Sequence, residues 1–304
     1  MIDQFCYKVY LPSIADYVHC KELYNHEYVN LLKFVKNKDD ISLSRYIDHI
    51  MSIKIIDFDL ESLHRIDKLC ILLTITAINI KSQTELVSTC EETEQQYNLN
   101  VDVYDILNII SNVDYQSEGV TIGRDVSINL QYPPALFVDV TTLTAIDFIS
   151  SINIGGKRYD VQSLSSEEKI SACSNIVGDE MSTMMPAINS MITKYRDVVY
   201  FTHHSPYVEE PVTHKYTFSL VDNSVVDFIK IIIGDDLNRF YELQHAMASN
   251  YRLSHEHYMN ITPAETQLHY GYMRSDTERK NKEAEEMNKS AQGRQDPTSA
   301  NLVD

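Results

Sequence analysis

The chain has 304 residues, 43% of them hydrophobic, and carries a formal net charge of −18. This composition supports a buried core and excludes a wholly disordered chain. The acidic excess argues against general nucleic-acid binding and against anionic membrane surfaces.

In chain order, the first segment reads as strand, with Phe5, Tyr7, Val9 and Leu11 alternating with more polar residues. Pro12 and Ser13 break it, and "DYVHC" can return antiparallel. "NHEYVNLLKFVKN" predicts a helix with Asn25 as its cap and Tyr28, Leu31, Leu32 and Val35 on one face. "ISLSRYIDHIM" predicts a second helix. A third is expected from about Asp59, with Leu60, Leu63, Ile66, Cys70 and Leu73 at helical spacing.

The period then changes to two. "TELVSTC" and "YNLNVDVYDI" read as two strands joined by the acidic turn "EETEQ", and "VSINLQY" reads as a strand that ends at Pro133 and Pro134. "INIGGKRYDV" carries a Gly-Gly hairpin signal. Ser165 and Glu168 form a capping box that starts helices reaching about Tyr195. "HKYTFSLV" reads as a strand. "SVVDFIKIII" and "DDLNRFYELQHAMASNY" predict helices parted at Gly234, with Asp235 capping the second.

The strongest local signal is "NITPAETQLHYGYM": Thr262 caps, Pro263 suits the first helical position, and Glu265 completes a capping box. Leu268 and Tyr272, one turn apart, are expected to rest on the helix holding Phe240, Leu243 and Met247. From Arg274 onward, nearly balanced charges mix with Ser, Asn, Gln and Gly, and this part reads as a flexible, disordered tail. The expected fold class is α+β, with mixed helices and antiparallel hairpins. The expected units are residues 1–150, residues 151–273 and a charged tail over residues 274–304.

Little in the chain points to catalysis, so no enzyme activity is expected. The eight glycines match neither a dinucleotide fingerprint nor a P-loop, and no cofactor is expected. Neighbouring strand residues face opposite ways, so His203 and His204 do not readily converge on one ion. His255 and His257 lack the four-residue spacing of a zincin helix and read as exposed loop histidines. No metal site is expected. Cys90 lacks the partner cysteine a zinc knuckle needs and reads as a half-buried thiol. The five cysteines contain no Cys-x-x-Cys pair, and "MIDQFCYKVY" has neither a basic start nor an apolar stretch. A reducing, non-secreted setting is therefore expected. The longest uncharged apolar run, Leu69 to Ile80, falls short of the roughly 20 residues a bilayer span needs. Twenty tyrosines without a tryptophan suit contact surfaces slightly better than ordinary sheet faces.

The order of motifs adds a resemblance. "YKVYLPS", "DYVHCKELYNHEYVNLLK", "DFDLESLHRIDKLCILLTITAINI", the hairpin "TELVSTC…YNLNVDVYDI" and "INLQYPP" follow one another, and the second half closes on a helix, a loop and "TPAE". This succession resembles the baseplate hub assembly proteins, or tail assembly chaperones, of T-even-like contractile-tailed bacteriophages. It covers roughly residues 4–140 and 222–290, with nothing similar over about 150–220. Some members carry a cysteine pair at the hairpin, from which the single Cys90 departs.

The resemblance implies a non-catalytic role in the host cytoplasm, helping the baseplate hub proteins and the tape-measure protein assemble. The alternative is a permanent structural subunit of the virion baseplate. With that role in view, Thr262, Pro263, Glu265, Leu268 and Tyr272 are the expected partner-binding residues, and the tail is the arm that reaches the partner. No nucleic acid or membrane is expected as a partner, and the sequence does not set the oligomeric state.

Overall fold

The computed structural model describes residues 6–90, 93–115, 118–122, 126–132, 143–161, 164–173, 178–204, 206–207, 213–222, 224–234 and 236–292. The fold is α+β. It opens with the hairpin β1 (Cys6–Leu11) and β2 (Asp16–Lys21), followed by helices α1 (Asn25–Asn37), α2 (Asp40–Lys54) and α3 (Arg65–Asn79). A second hairpin, β3 (Gln83–Thr89) and β4 (Gln96–Asp102), leads into α4 (Val103–Ser111). Strands β5 (Glu118–Ile122), β6 (Val126–Leu130), β7 (Ile149–Ile154) and β8 (Lys157–Asp160) form an antiparallel sheet in sequence order. Then come α5 (Ser166–Cys173), α6 (Gly178–Arg196) and the hairpin β9 (Val198–His204) and β10 (Thr213–Phe218). Helices α7 (Ser224–Ile233), α8 (Leu237–Tyr251), α9 (His255–Met259) and α10 (Pro263–Gln292) complete the described chain.

Helix α3 is the centre. Apolar periodicity predicted one buried stripe starting near Asp59; the helix instead starts at Arg65, after a short 3-10 turn, and is buried nearly all round. The charges in its first turn are therefore buried too, and each has a partner. Asp67 accepts from the Ser13 backbone N–H at 3.1 Å, from the Ser13 hydroxyl at 2.5 Å and from the His64 backbone N–H at 3.1 Å. Arg65 Nη1 donates to the Leu220 carbonyl at 2.8 Å, and Lys68 Nζ lies 3.5 Å from Asp48. A second buried ion pair, Lys54–Glu27 at 2.7 Å, joins α2 to the first turn of α1, with the ammonium 4.6 Å from the Tyr24 ring centre.

Several local expectations shift for identifiable reasons. Tyr24, not Asn25, is the N-cap of α1, because Glu27 accepts from the Tyr24 backbone N–H at 2.8 Å. "VYDI" does not extend β4. The Asp102 carboxylate accepts from the Tyr104 N–H at 2.8 Å and starts α4 there. Gly155 and Gly156, at φ of +54° and +81°, make the expected hairpin turn, and Ser165–Glu168 forms its capping box. Pro133 and Pro134 lie outside the described residues, as does Asp235; the residue preceding α8 is Asp236.

A boundary at residue 150 would cut the four-stranded sheet, since β6 pairs with β7 from Val126↔Ile154 to Leu130↔Ile149. The apolar core is likewise continuous from Val9 to Tyr258. The tyrosines divide between core and surface. Tyr115, Tyr132 and Tyr195 are buried with Phe148 in one aromatic cluster, where Tyr132 and Tyr195 stack at 4.3 Å. Tyr17, Tyr159 and Tyr272 are exposed.

The tail expected to be disordered from Arg274 is helical to Gln292, and residues 293–304 lie outside the described residues. Ion pairs one turn apart run along it: Arg274–Glu278 at 2.9 Å, Asp276–Lys280 at 2.8 Å and Arg279–Glu283 at 2.9 Å. Each is worth only about 0.2–0.5 kcal/mol, yet they act together with strong helix formers on a helix already nucleated upstream. Charge mixing was read as disorder; its spacing makes it helical.

Removing one partner of a buried ion pair strands the other charge. Lys54→Ala is expected to destabilise the fold by about 3–5 kcal/mol, measured by chemical denaturation.

Candidate functional site

The start of α10 is built as its sequence requires. The Thr262 N–H donates to Glu265 Oε2 at 2.7 Å, and the Glu265 N–H donates to Thr262 Oγ1 at 3.1 Å. Pro263 occupies the first helical position and is buried. What holds this helix start on the body lies far away in sequence. Asn25 Nδ2 donates to the Tyr258 carbonyl at 2.8 Å and to Thr266 Oγ1 at 2.7 Å, while the Asn25 backbone N–H donates to the Ile261 carbonyl at 2.9 Å. Thr266 in turn donates to the Thr262 carbonyl at 3.1 Å. The Tyr258 hydroxyl donates to the Phe240 carbonyl at 3.2 Å, and the Arg239 guanidinium lies 4.6 Å from the Tyr270 ring centre. Helix α10 is thus laced to α1, α8 and α9 at once.

The expected packing face is the wrong one. Leu268 and Tyr272 are 62% and 69% exposed. They adjoin each other, but at 100° per residue they lie away from the row Pro263, Thr266, Tyr270 and Met273, which is buried or half-buried. Helix α10 does pack on α8, where Phe240, Leu243 and Met247 are buried. Tyr270 meets Arg239 of α8 there, and Thr266 bonds to Asn25 of α1, while Leu268 and Tyr272 face outward. Small, hydrogen-bonded residues allow closer approach here, and a reading weighted by hydrophobicity selects the outer face. Asn25 and Thr266 were missed. Thr266 had a local signal, one turn after the cap; Asn25, 241 positions away, had none.

The histidines singled out in the sequence fall on two separate elements, β9 and α9. His203 and His204 point to opposite faces of β9, but His203 stands directly across from His214 on β10. His203 lies 5.6 Å from the Tyr97 ring and 6.2 Å from the Phe201 ring, and its Nε2 has no hydrogen-bond partner among the described residues. Desolvation, followed by the nearby His204 and His214, lowers its pKa. His255 and His257 are exposed as expected, but on the short helix α9 rather than a loop; His255 Nδ1 meets Gln244 Nε2 at 2.6 Å. Among the described residues no group of three or more His, Cys, Asp or Glu side chains is placed to hold a metal ion. Cys90, expected to be half-buried, is fully buried beside the turn closed by the Glu94 N–H to Cys90 carbonyl bond at 2.8 Å.

Two measurements separate anchor from surface. Asn25→Ala leaves buried acceptors without their donor and should cost about 1–3 kcal/mol in a denaturant titration. Leu268→Asp, on the exposed face, should stay within about 0.5 kcal/mol of the parent. A third concerns pH. The folded state holds His203 at a lowered pKa, so the unfolded chain binds the extra proton first. Stability should fall as pH drops through the ordinary histidine range, and His203→Phe should flatten that slope.

A family model described as T4 bacteriophage base plate protein matches residues 4–202 of this chain. No curated protein and no solved structure matches it. The matched span runs from β1 into β9 and takes in most of the stretch from 150 to 220, where the sequence had shown no resemblance. Helices α7 to α10 lie beyond it.

Proposed function

Because this chain belongs to the T4 bacteriophage base plate protein family, we propose that it is a non-catalytic assembly chaperone of the phage baseplate hub and tail. Membership carries a baseplate-associated structural or assembly role and contact with other baseplate components. The finer reading is that the chain works in the host cytoplasm, bringing the hub proteins and the tape-measure protein together. The observation that supports it is α10, whose first turns are tied into the body while residues 274–290 are exposed at every position but the half-buried Asp276. Such an element presents a surface to a partner without disturbing the fold that carries it. The exposed pair Leu268 and Tyr272, beside the buried cap residues Thr262 and Pro263, remains part of the proposed contact. Among the described residues no helix is long and apolar enough to cross a membrane.

The second reading, a permanent baseplate subunit, draws on the same exposed apolar side chains, which a finished particle would keep covered. Affinity capture from infected cells, paired with mass spectrometry of purified virions, tests both. The chaperone reading expects the hub and tape-measure proteins in the capture and no peptides of this chain in virions. Stoichiometric peptides in virions would establish the subunit reading instead, and a capture free of baseplate and tail proteins would refute both.

A further inference from the structure

Strand β8 ends the four-stranded sheet, and among the described residues no strand lies on its outer side. All its residues, Lys157 to Asp160, are exposed. The Gly155–Gly156 turn fixes its phase against β7. Ile154 stands opposite Lys157, Ile152 opposite Tyr159, and the Val161 N–H donates to the Ser150 carbonyl at 3.0 Å. Hydrogen-bonded and non-bonded pairs alternate along an antiparallel ladder. Lys157, Tyr159 and Val161 therefore turn their backbone groups inward to β7, while Arg158 and Asp160 turn theirs outward. The side chains divide the same way. Tyr159 and Val161 share a face with Ile152 and Ile154, and Arg158 and Asp160 share the other with Asn153 and Ser151. At this edge the apolar face is open. Ile154 and Tyr159 are 47% and 52% exposed, beside a groove of about 620 Å³ that Ile152, Val161 and Leu164 also line.

We infer that β8 pairs antiparallel with β8 of a second copy of this chain, about a two-fold axis through Tyr159, so that the two sheets become one. An axis perpendicular to the sheet keeps like faces together, so residues that oppose each other must share a face. Centred on Lys157, Arg158 or Asp160, such a pair sets like charges directly opposite, which is destabilising. Centred on Tyr159, it sets Arg158 opposite Asp160 twice over. The same register matches the backbone. Arg158 and Asp160 are the residues with outward N–H and C=O groups, and here each exchanges both bonds with its opposite number. On the apolar face Tyr159 meets Tyr159 at the axis and joins the two open grooves into one. An edge guarded against pairing carries charges of one sign, which repel a copy in every register. This edge carries both signs, two residues apart on one face, and so complements itself. Its two basic residues and one acidic residue also reverse the sign of a chain whose net charge is −18. At roughly 0.15 M ionic strength that overall repulsion is screened beyond about 8 Å, whereas directly opposed charges still meet.

The inference does not depend on the assembly reading, and it is tested on the purified full chain by sedimentation equilibrium over a concentration series. The parent is expected to pass from monomer to dimer. Arg158→Glu sets a carboxylate against Asp160, and Asp160→Arg sets a guanidinium against Arg158. Each change counts twice in a symmetric pair, so each should raise the dimer dissociation constant at least ~10-fold. Mixing the two variants in equal amounts should restore dimers, because every charge at the edge then meets its opposite. That recovery also shows that both variants are folded. Lys157→Glu makes the same charge change as Arg158→Glu one residue away, on the other face, and should leave association as in the parent. A parent that stays monomeric at every concentration overturns the inference and leaves the edge to a strand of a different protein. Dimers that persist in both single variants place the contact elsewhere and overturn it. So does a mixture that fails to restore dimers, since the register would then be wrong. An equal loss in Lys157→Glu overturns it as well, because net charge and not the opposed pair would decide.

Discussion

Arg65, Asp67 and Lys68 sit within four residues of one another at the start of a helix whose surroundings exclude water. Taking a charge out of water is costly unless a partner and hydrogen bonds meet it. The fold is arranged around that requirement. Asp67 draws in the loop after β1 through Ser13, Lys68 reaches Asp48 on α2, and Arg65 binds the carbonyl of Leu220, 155 positions onward. The Leu220 N–H is itself bound to the Tyr195 carbonyl at 2.6 Å, at the end of α6. One helix therefore organises the N-terminal hairpin, the helical layer and the C-terminal half. Asp67 gains further from its place in the first turn, where the helix dipole favours negative charge.

A second polar knot does for the C-terminal helices what α3 does for the centre. Asn25 is buried and bonds to residues on either side of the turn into α10. Apolar packing alone specifies that turn weakly, because the first turn of α10 sets Pro263 and Thr266, not a large apolar side chain, against the body. Hydrogen bonds are directional, so they fix the angle at which α10 leaves the surface. The orientation of the exposed half is set at its root.

This arrangement bears on the family match, which ends inside β9 and leaves α7 to α10 outside. The matched part supplies α1 and α3, on which the later helices are seated through Asn25 and Arg65. Helices α7 to α9 thus complete the core of the family body, and α10 is seated on it by its first turns.

The sequence by itself determined the elements whose signals are local. The Thr262–Glu265 and Ser165–Glu168 boxes, the Gly155–Gly156 turn and the alternation of β1, β3 and β6 all concern neighbours within a few residues, and all are present. The motif order also pointed to a phage baseplate protein, which the family match bears out; the hub-assembly part of that resemblance goes beyond the match. Tertiary structure decided the rest. Burial of α3 on every side depends on what packs against the faces that carry its charges, and those partners lie up to 155 positions away. The helical state of residues 274–292 depends on a start nucleated and anchored upstream, so composition alone misread it. The outward turn of Leu268 and Tyr272 was settled by Asn25 reaching Thr266 across 241 positions, a contact that only the folded chain can make.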